Sequence, residues 1–574
     1  MDNKEYAQIL NEIATLQRVV GDGFFKVRAF SRAARLIEDL GEPVEQLIDR
    51  RRLDEIPGIG ESIEEELEAL RLLGYSPRHK ELLDRVGHDV TQLWEIPGLG
   101  IKRIQILYQD LGIASVAMLK AAALEGKLAK APQFGAAIQT KLLAEIEGWE
   151  RGRGRRYPLP EAKALADSLR SQILELSMVD RAEVGGSIRR GKETIGDIDL
   201  LVTTDDPRAV ASYFKNLPEV VEVIFDGESR ASVRITNEIQ ADLRIVERHL
   251  FGAGLHYFTG DKDHHIQMRL RSKRMGLKIS EKGVMLYDDP TETPVGPMNT
   301  EEEVFAAVGL PYIHPEIRNG KNEIKMGEAG TLPTLVEAHH IRGEVHICSA
   351  LSGGVDRLED MLVGCAARGY EWVVVTERAG RTRGIKPGDF ADYKHKLEAL
   401  NAKLGLRVTV GLEVEIMPDG MLDFDHRLLA QVPWVVGVYR GMPDEPDEAT
   451  DAIMWAMETG LVSCLAAPTG RHLGVHEGHG ARFDDVVACS VDFGVALELS
   501  GDPQRLDLNG QFSRRARDGG AHLVVSSSAA SVDGLSNIDY ALQQARRGWL
   551  TPADILNTLA AEDAIQRTRV LING

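Results

Sequence analysis

Asp197 and Asp199 stand two residues apart in GGSIRRGKETIGDIDLLV, residues 185–202. On a strand, that spacing sends both side chains to one side, which suits carboxylates that share or flank divalent cations. Two-ion phosphoryl transfer sets its metals about 3.5–4 Å apart, one at the attacking oxygen and one at the leaving oxygen. A third carboxylate is usually needed for the ion at the attacking oxygen. IQADLRIV supplies Asp242 on an otherwise apolar strand, a costly place for an acid unless something cationic meets it. Upstream, Gly185 and Gly186 let backbone approach a triphosphate, Ser187 offers a hydroxyl donor, and Arg190 can neutralise non-bridging oxygens. Nothing in the set looks like a covalent nucleophile, so direct in-line transfer fits best. Asp-x-Asp alone is common and reads as solvated turn acids. Gly-Ser, Arg-Arg-Gly and Gly-Asp-Ile-Asp in this order are far more specific.

The elements that position these groups follow from the rest of the chain. Its 574 residues suggest roughly four compact units. A composition of 43% hydrophobic and 27% charged residues is that of a globular protein. The N-terminus lacks a basic region followed by an apolar one, so no signal peptide is expected, and no apolar run reaches the roughly 18 residues of a membrane span. Cys348, Cys365, Cys464 and Cys489 form no close pair, which argues against a disulfide framework and for a reducing cytoplasm. A net charge of −20 opposes nucleic acid, so any DNA binding must use local basic surfaces.

Such surfaces exist in the first 150 residues, which read as short helices separated by glycine turns. Arg28, Arg32 and Arg35 share one helical face, with Val27, Phe30 and Ala34 on another; alone, this is an ordinary solvated face. LDEIPGIGESI and LWEIPGLGIKRI, with a worn copy LAKAPQFGAAI, repeat a turn in which Gly58, Gly60, Gly98 and Gly100 permit a tight hairpin between helices. Amides at the start of each second helix can hold a phosphate, a grip that reads backbone rather than sequence. RGRGRRYPLP reads as a linker. DIDLLV, VVEVIF, ASVRIT and IQADLRIV follow as strands, and after about residue 341 strands alternate with helices in a βα pattern.

The repeated turns resemble the helix-hairpin-helix motif, and GGSIRRGKETIGDIDLLV resembles the palm of the nucleotidyltransferase superfamily, specifically family X DNA polymerases, the group that includes DNA polymerase beta. The resemblance runs in order through Asp242 and YFTGDKDHHIQMRLRSKRMGLKI, over roughly residues 1–320. It implies two Mg2+ or Mn2+ ions on Asp197, Asp199 and Asp242, and triphosphate contacts from Gly186, Ser187, Arg190 and Gly196. It also implies sugar contacts from Tyr257, Phe258 and Gly260, and a template-side minor-groove contact from Arg269. His265 replaces an asparagine that touches the nascent pair; a histidine can donate one hydrogen bond there, with a different shape and pKa. Glu66 stands where polymerase beta has its Schiff-base lysine, and a carboxylate forms no imine, so no deoxyribose phosphate lyase activity is expected by that route.

IRGEVHICSALSGG resembles the opening of a PHP (polymerase and histidinol phosphatase) domain, a distorted βα barrel whose three metals serve phosphoester hydrolysis. Most ligands are replaced. His346 and Glu413 remain, but Cys348, Gly353, Glu377, Arg378, Arg440, Ala467 and Ser528-Ala529-Ala530 occupy the other ligand positions. Three hydrolytic metals need more carboxylates and imidazoles than this, so the barrel metals are expected to be absent and 3′–5′ exonuclease activity doubtful. His472, His476 and His479 in RHLGVHEGHG are an alternative metal set, against the commoner reading of solvated loop histidines.

The expected fold is multidomain α/β and α, with helical hairpin domains, a palm on a mixed sheet, a small thumb and a distorted (β/α) barrel. Its expected divisions are a lyase-like domain at 1–80, a fingers-like domain at 81–150, a linker at 151–160, the palm at 161–250, a thumb-like domain at 251–318, a linker at 319–340 and the barrel at 341–574. The expected function is gap or end filling in DNA repair by a cytoplasmic, nucleoid-associated monomer acting on gapped or nicked DNA and deoxynucleoside triphosphates, away from membranes. Two rivals stand beside it: a DNA-end-binding scaffold with weak synthesis, and a polymerase with residual manganese-dependent exonuclease in the barrel.

Overall fold

The computed structural model describes residues 3–568 except 39, 41–43, 54–55, 57, 74, 97, 149–155, 290–292 and 442–445. Residues 1–155 and 156–574 form two compact units.

The first unit is helical. Asn3–Val20 and Phe24–Glu38 bury Leu10, Ile13, Val27, Phe30 and Ala34, and leave Arg28, Arg32 and Arg35 exposed. The hairpins share one geometry, although Pro57 and Pro97 lie outside the described residues. Gly58 and Gly98 take φ values of 113° and 83°, and the amides of Ile59 and Leu99 close on the carbonyls of Ile56 and Ile96, both at 3.1 Å. Helices Glu61–Leu73 and Ile101–Leu111 start directly after Gly60 and Gly100. The worn copy folds the same way. Gln133 adopts φ 63° where the others have glycine, and the Phe134 amide closes on Ala131 at 3.1 Å. A side chain held in that region costs about 1–2 kcal/mol, which the helix packing around Leu128 and Phe134 must offset.

In the second unit the palm sheet runs β2 (Val179–Val184), β4 (Asp197–Thr204), β7 (Gln240–Ile245), β6 (Arg230–Ile235), β5 (Val220–Asp226). The β4–β7 pair is parallel and the other pairs are antiparallel. β2 was not legible beforehand: it is a half-exposed strand reading VDRAEV, without apolar alternation. The segment read as a linker at 151–160 is structured from Arg156. β1 (Tyr157–Pro158) pairs with β3 (Thr194–Ile195), and helix Leu159–Leu174 begins at once, because Tyr157 and Leu159 are core residues. The expected linker at 319–340 likewise contains helix Glu323–Ala329, whose Glu323 is buried against His264 Nδ1 at 2.9 Å.

The thumb comprises helices Phe251–Thr259 and Lys262–Arg274, hairpin β8 (Leu277–Ser280) and β9 (Gly283–Leu286), and helix Glu301–Ala307, capped by Thr300 and Glu303. Seven parallel strands follow: β10 (Gly343–Ile347), β11 (Trp372–Ala379), β12 (Arg407–Ile416), β13 (Trp434–Tyr439), β14 (Cys464–Ala466), β15 (Ala496–Ser500) and β16 (Leu523–Ser526). A parallel bridge between Ile347 and Ala529 nearly closes them into a barrel. Alternation along the strands sorts the core: Trp372, Val374, Trp434 and Val436 fill one face, while Val373, Val375 and Val435 meet the helices on the other. Among the described residues no single helix is long and apolar enough to cross a membrane.

Candidate active site

Register brings the palm acids together. In the parallel β4–β7 pair Asp199 lies opposite Asp242 and Asp197 opposite Gln240, so all three carboxylates project from one face of the sheet. Asp242 is buried at 7% exposure, and its Oδ1 has no hydrogen-bond partner, while Gln240 Nε2 donates to Oδ2 at 3.1 Å. Burial, together with repulsion from Asp197 and Asp242, pushes the Asp199 carboxyl up to about 7. Burial and Asp242 raise Asp197 as well. Three acids left without a cation repel one another, and among the described residues no three His, Cys, Asp or Glu side chains stand as a closed metal cage. An orphaned buried oxygen and two acids held towards protonation nevertheless fit a divalent cation, which would relieve both costs.

The glycine turn abuts these acids. Gly186 has φ 60°, and a Cβ there would stand 2.1 Å from Asp199 Oδ2, so only glycine fits. Ser187 lies in the one-turn helix Gly186–Arg189 that follows. The two arginines diverge. Arg189 donates to Thr259 Oγ1 at 2.8 Å and to Glu301 at 2.6 Å, tying the palm to the thumb. Arg190 donates to the Thr259 carbonyl, lies 3.9 Å from Asp261, and keeps a buried Nε without a partner. Gly260, at φ 74°, makes room for it: a Cβ would meet Arg190 Nη1 at 2.8 Å. Gly196 precedes Asp197 at the start of β4, facing Arg156.

Other expected contacts fall nearby. The Phe258 ring carries the Arg244 guanidinium at 5.1 Å, and Tyr257 stacks on His265. His265 Nε2 donates to the Tyr257 carbonyl at 2.9 Å, so that nitrogen is engaged within the thumb rather than presented outward. Arg269 is exposed one turn further on and shares with Tyr257 the lining of a cavity of about 350 Å³. Sequence reading missed Arg244, Arg156 and Lys192. Arg244 stands two residues after Asp242 on β7, hence on the same face, a spacing that could have found it. Arg156, hidden in the presumed linker, donates to Thr194 Oγ1 at 2.6 Å and offsets the charge of Asp197. Lys192 lies 3.5 Å from Asp261. In the first unit, a Cβ on Gly58 would lie 3.0 Å from Arg32 Nε, so the arginine face adjoins the first hairpin. Glu66 accepts hydrogen bonds from Ser76 Oγ at 2.5 Å and from the Arg78 amide at 3.4 Å.

The barrel mouth holds a different arrangement. His346 is clamped between Glu498 Oε1 at 2.7 Å and Glu413 Oε2 at 3.0 Å. Burial alone would lower the imidazole, but the carboxylates on both nitrogens raise it well above its ordinary value. The other Glu413 oxygen takes Arg440 at 2.5 Å, with Arg378 at 3.9 Å. Burial is thereby outweighed, and His346, Arg440 and Arg378 pull Glu413 down to about 2. Glu377 is spent on Ser349 and Ser352, and Cys348 is a buried free thiol held up by burial. His346 and Glu413 are engaged in internal ion pairs and Glu377 by serine hydroxyls, so these side chains as placed do not fit a metal centre. Glu498 was missed because it lies 152 residues from His346. Nor do His472, His476 and His479 form a metal group among the described residues; His479 packs edge-on against Tyr439 and burial lowers it to about 4.

Three family models match: a helix-hairpin-helix domain at residues 1–71, the DNA polymerase beta palm at 156–257 and the DNA polymerase beta thumb at 254–319. The chain is 30% identical over 574 residues to the DNA polymerase/3'-5' exonuclease PolX of Bacillus subtilis (strain 168), covering 98% of each. The chain belongs to the PolX-type family X DNA polymerases. It is also 23% identical over 350 residues to DNA polymerase lambda of Arabidopsis thaliana, covering 55% of this chain and 62% of that one. DNA polymerase lambda of Rattus norvegicus is 24% identical over 343 residues, covering 55% and 56%. The first of these similarities extends through the barrel, whose fold is consistent with a PHP domain. Membership and architecture together support a nucleotidyltransferase function in DNA repair.

Proposed function

We propose that the chain fills gaps and ends in DNA by template-directed, in-line nucleotidyl transfer from deoxynucleoside triphosphates. The observation that carries this is the β4–β7 register, which sets Asp197, Asp199 and Asp242 on one sheet face against the Gly186 turn. Asp197, Asp199 and Asp242 would hold Mg2+ or Mn2+, which lowers the charge cost of attack by a primer 3′-hydroxyl and of pyrophosphate departure. Ser187 and Arg190 bind and orient the triphosphate; the unpaired Nε of Arg190 is one donor available to it. Tyr257 and Phe258, fixed by His265 and Arg244, pack against the sugar, and Arg269 faces the template side. The exposed arginines 28, 32 and 35 and the hairpin turns at Gly58, Gly60, Gly98 and Gly100 grip DNA backbone on either side of a break.

The domain divisions at 80, 150, 250 and 318, a monomeric state and a cytoplasmic, nucleoid-associated location belong to the same reading. The arginines and the doubly bonded histidine that fill the barrel mouth do not suit hydrolytic metals, which speaks against exonuclease activity there. The test is single-turnover primer extension on a one-nucleotide gap: Asp197→Ala abolishes extension while break binding persists. Extension at wild-type rate by that variant would overturn the proposal.

A further inference from the structure

The barrel reaches back into the nucleotide site. Its helix Ile538–Arg547 points three side chains at the turn that follows Ser187. Gln543 Nε2 donates to the carbonyls of Ile188 at 3.2 Å and Arg189 at 3.4 Å. Arg547 Nη1 donates to that of Arg190 at 2.9 Å, and Gln544 Nε2 to that of Gly191 at 2.9 Å. These four carbonyls are consecutive. Ile188 also accepts from the Gly191 amide at 2.9 Å, whereas Arg189, Arg190 and Gly191 lie at or beyond the end of a helix of 4 residues, Gly186–Arg189, which is far too short to sustain itself. Gln544 is fully buried and accepts from the Gly510 amide at 3.3 Å, so it bridges barrel and palm. The fit is close: a Cβ on Gly191, at φ 65°, would stand 2.4 Å from Gln543 Cγ.

Neighbouring contacts make the joint rigid. Glu193, two residues beyond the turn, is held by Arg471 and, at 3.3 Å, by Asn509. Leu506, fully buried, belongs to the palm core, and Trp549 belongs to the thumb core. Arg546 pairs with Glu316 at 2.7 Å. Arg547 keeps a buried Nε without a partner, as Arg190 does, so the side chain that holds the turn at the Arg190 carbonyl and the side chain that the turn presents to the Thr259 carbonyl each retain an unused donor.

We propose that Gln543, Gln544 and Arg547 are positioning residues for nucleotide binding, and that the barrel serves synthesis as the C-terminal clamp of the Gly186–Gly191 turn. The inference rests on the reading of Ser187 and Arg190 as triphosphate ligands. With the clamp in place, Ser187 and Arg190 are held in binding geometry before the nucleotide arrives, so less ordering is left for the nucleotide to impose. On this reading the barrel has a function that depends on its helix Ile538–Arg547 and not on its mouth.

The test uses the full chain on gapped DNA in single-turnover extension across a nucleotide titration, with Gln543→Ala/Gln544→Ala, Arg547→Lys and Arg190→Ala beside wild type. The expected result is an apparent nucleotide Kd raised about tenfold in the double variant, a maximal rate within about threefold, unchanged DNA affinity, and most of the affinity retained by Arg547→Lys. Amide hydrogen exchange is the second measurement, so that a general loss of stability is not mistaken for loss of the clamp: exchange in the double variant should quicken at residues 185–192 and stay unchanged in the β10–β16 strands. If Arg190→Ala raises the nucleotide Kd but the double variant leaves both that Kd and the turn's exchange at wild-type values, the clamp is refuted. A nucleotide Kd unmoved in Arg190→Ala refutes the triphosphate reading itself.

Discussion

The palm edge and the barrel mouth each gather acids on parallel strands, yet their charges are balanced in opposite ways. At the palm, Asp197, Asp199 and Asp242 face one another, with Arg244, Arg156 and Arg190 near but hydrogen-bonded to none of them, and burial with mutual repulsion drives Asp199 to about 7. At the barrel, Glu413 and Glu498 clamp His346, Arg440 closes the remaining side, and Glu413 falls to about 2. Burial pushes both carboxyls up; at Asp199 the neighbouring acids add to it, whereas at Glu413 the neighbouring cations outweigh it. An acid cluster is poised for cations only while its charge is left unanswered. At the barrel mouth Arg440 and Arg378 complete a structural ion-pair network around Glu413.

The largest expected effect separates the two sites by activity. Asp199→Asn should lower single-turnover extension by at least about 10³-fold, as loss of a group acting in a catalytic unit does, whereas Glu413→Gln should leave it within about threefold. Equal losses would mean that the barrel mouth takes part in synthesis. The same pair should reverse in stability. Glu413→Gln strands a buried imidazolium with one carboxylate and should cost about 3–5 kcal/mol in urea unfolding of the barrel. Asp199→Asn removes a repelling charge and should cost nothing, or stabilise the chain when divalent cations are absent.

A sharper comparison converts one site into the other. Arg378→His/Arg440→His in an Asp199→Asn background removes the internal cations and places two imidazoles beside Glu413 and His346. About one equivalent of Mn2+ should then bind, read by electron paramagnetic resonance, because imidazoles and carboxylates suit that ion. If no ion binds, the arginines are not what excludes metal.

Much of this contrast was legible in the sequence, and the illegible part has a physical reason. Asp197 and Asp199 share a side of any strand, and Asp242 stood out as an acid among apolar neighbours; one register then brings all three together. Five of the seven barrel strands, β11, β12, β13, β15 and β16, were legible because buried parallel strands are largely apolar runs; charged β10, three-residue β14 and half-exposed β2 were not. Arg378 and Arg440 were visible as replacements, but their pairing with Glu413 depends on a closed barrel. Glu498 and Gln544 carry no local signal, since their partners lie 152 and 353 residues away. Gln133 shows the converse: the hairpin survives although its glycine is gone, because flanking helices impose the turn.

The smallest expected effect is a difference in pH response. Between about 3.8 and 7 the folded palm holds a proton on Asp199 that the unfolded chain has released, so this group's contribution to stability falls as pH rises through that window, and the cost is complete above about 7. A divalent cation must displace that proton, so its apparent affinity should rise about tenfold between pH 6 and pH 8 and then level off. Tenfold corresponds to about 1.4 kcal/mol, hence a cation-induced rise in melting temperature that is larger at pH 8 than at pH 6. Asp242→Asn removes one of the repelling charges, lowers the Asp199 transition and should flatten the difference. The barrel mouth is expected to show no such cation dependence. Glu413 contributes stability above 4.5 that is lost as pH falls towards about 2. His346 contributes stability that is complete below 6.5 and lost as pH rises through its raised value. Melting followed separately for the two regions, with and without Mg2+, should show the palm alone responding to the ion. A cation response carried by the barrel, and absent from Asp242→Asn and wild-type palms alike, would mean that the two charge balances have been assigned to the wrong sites.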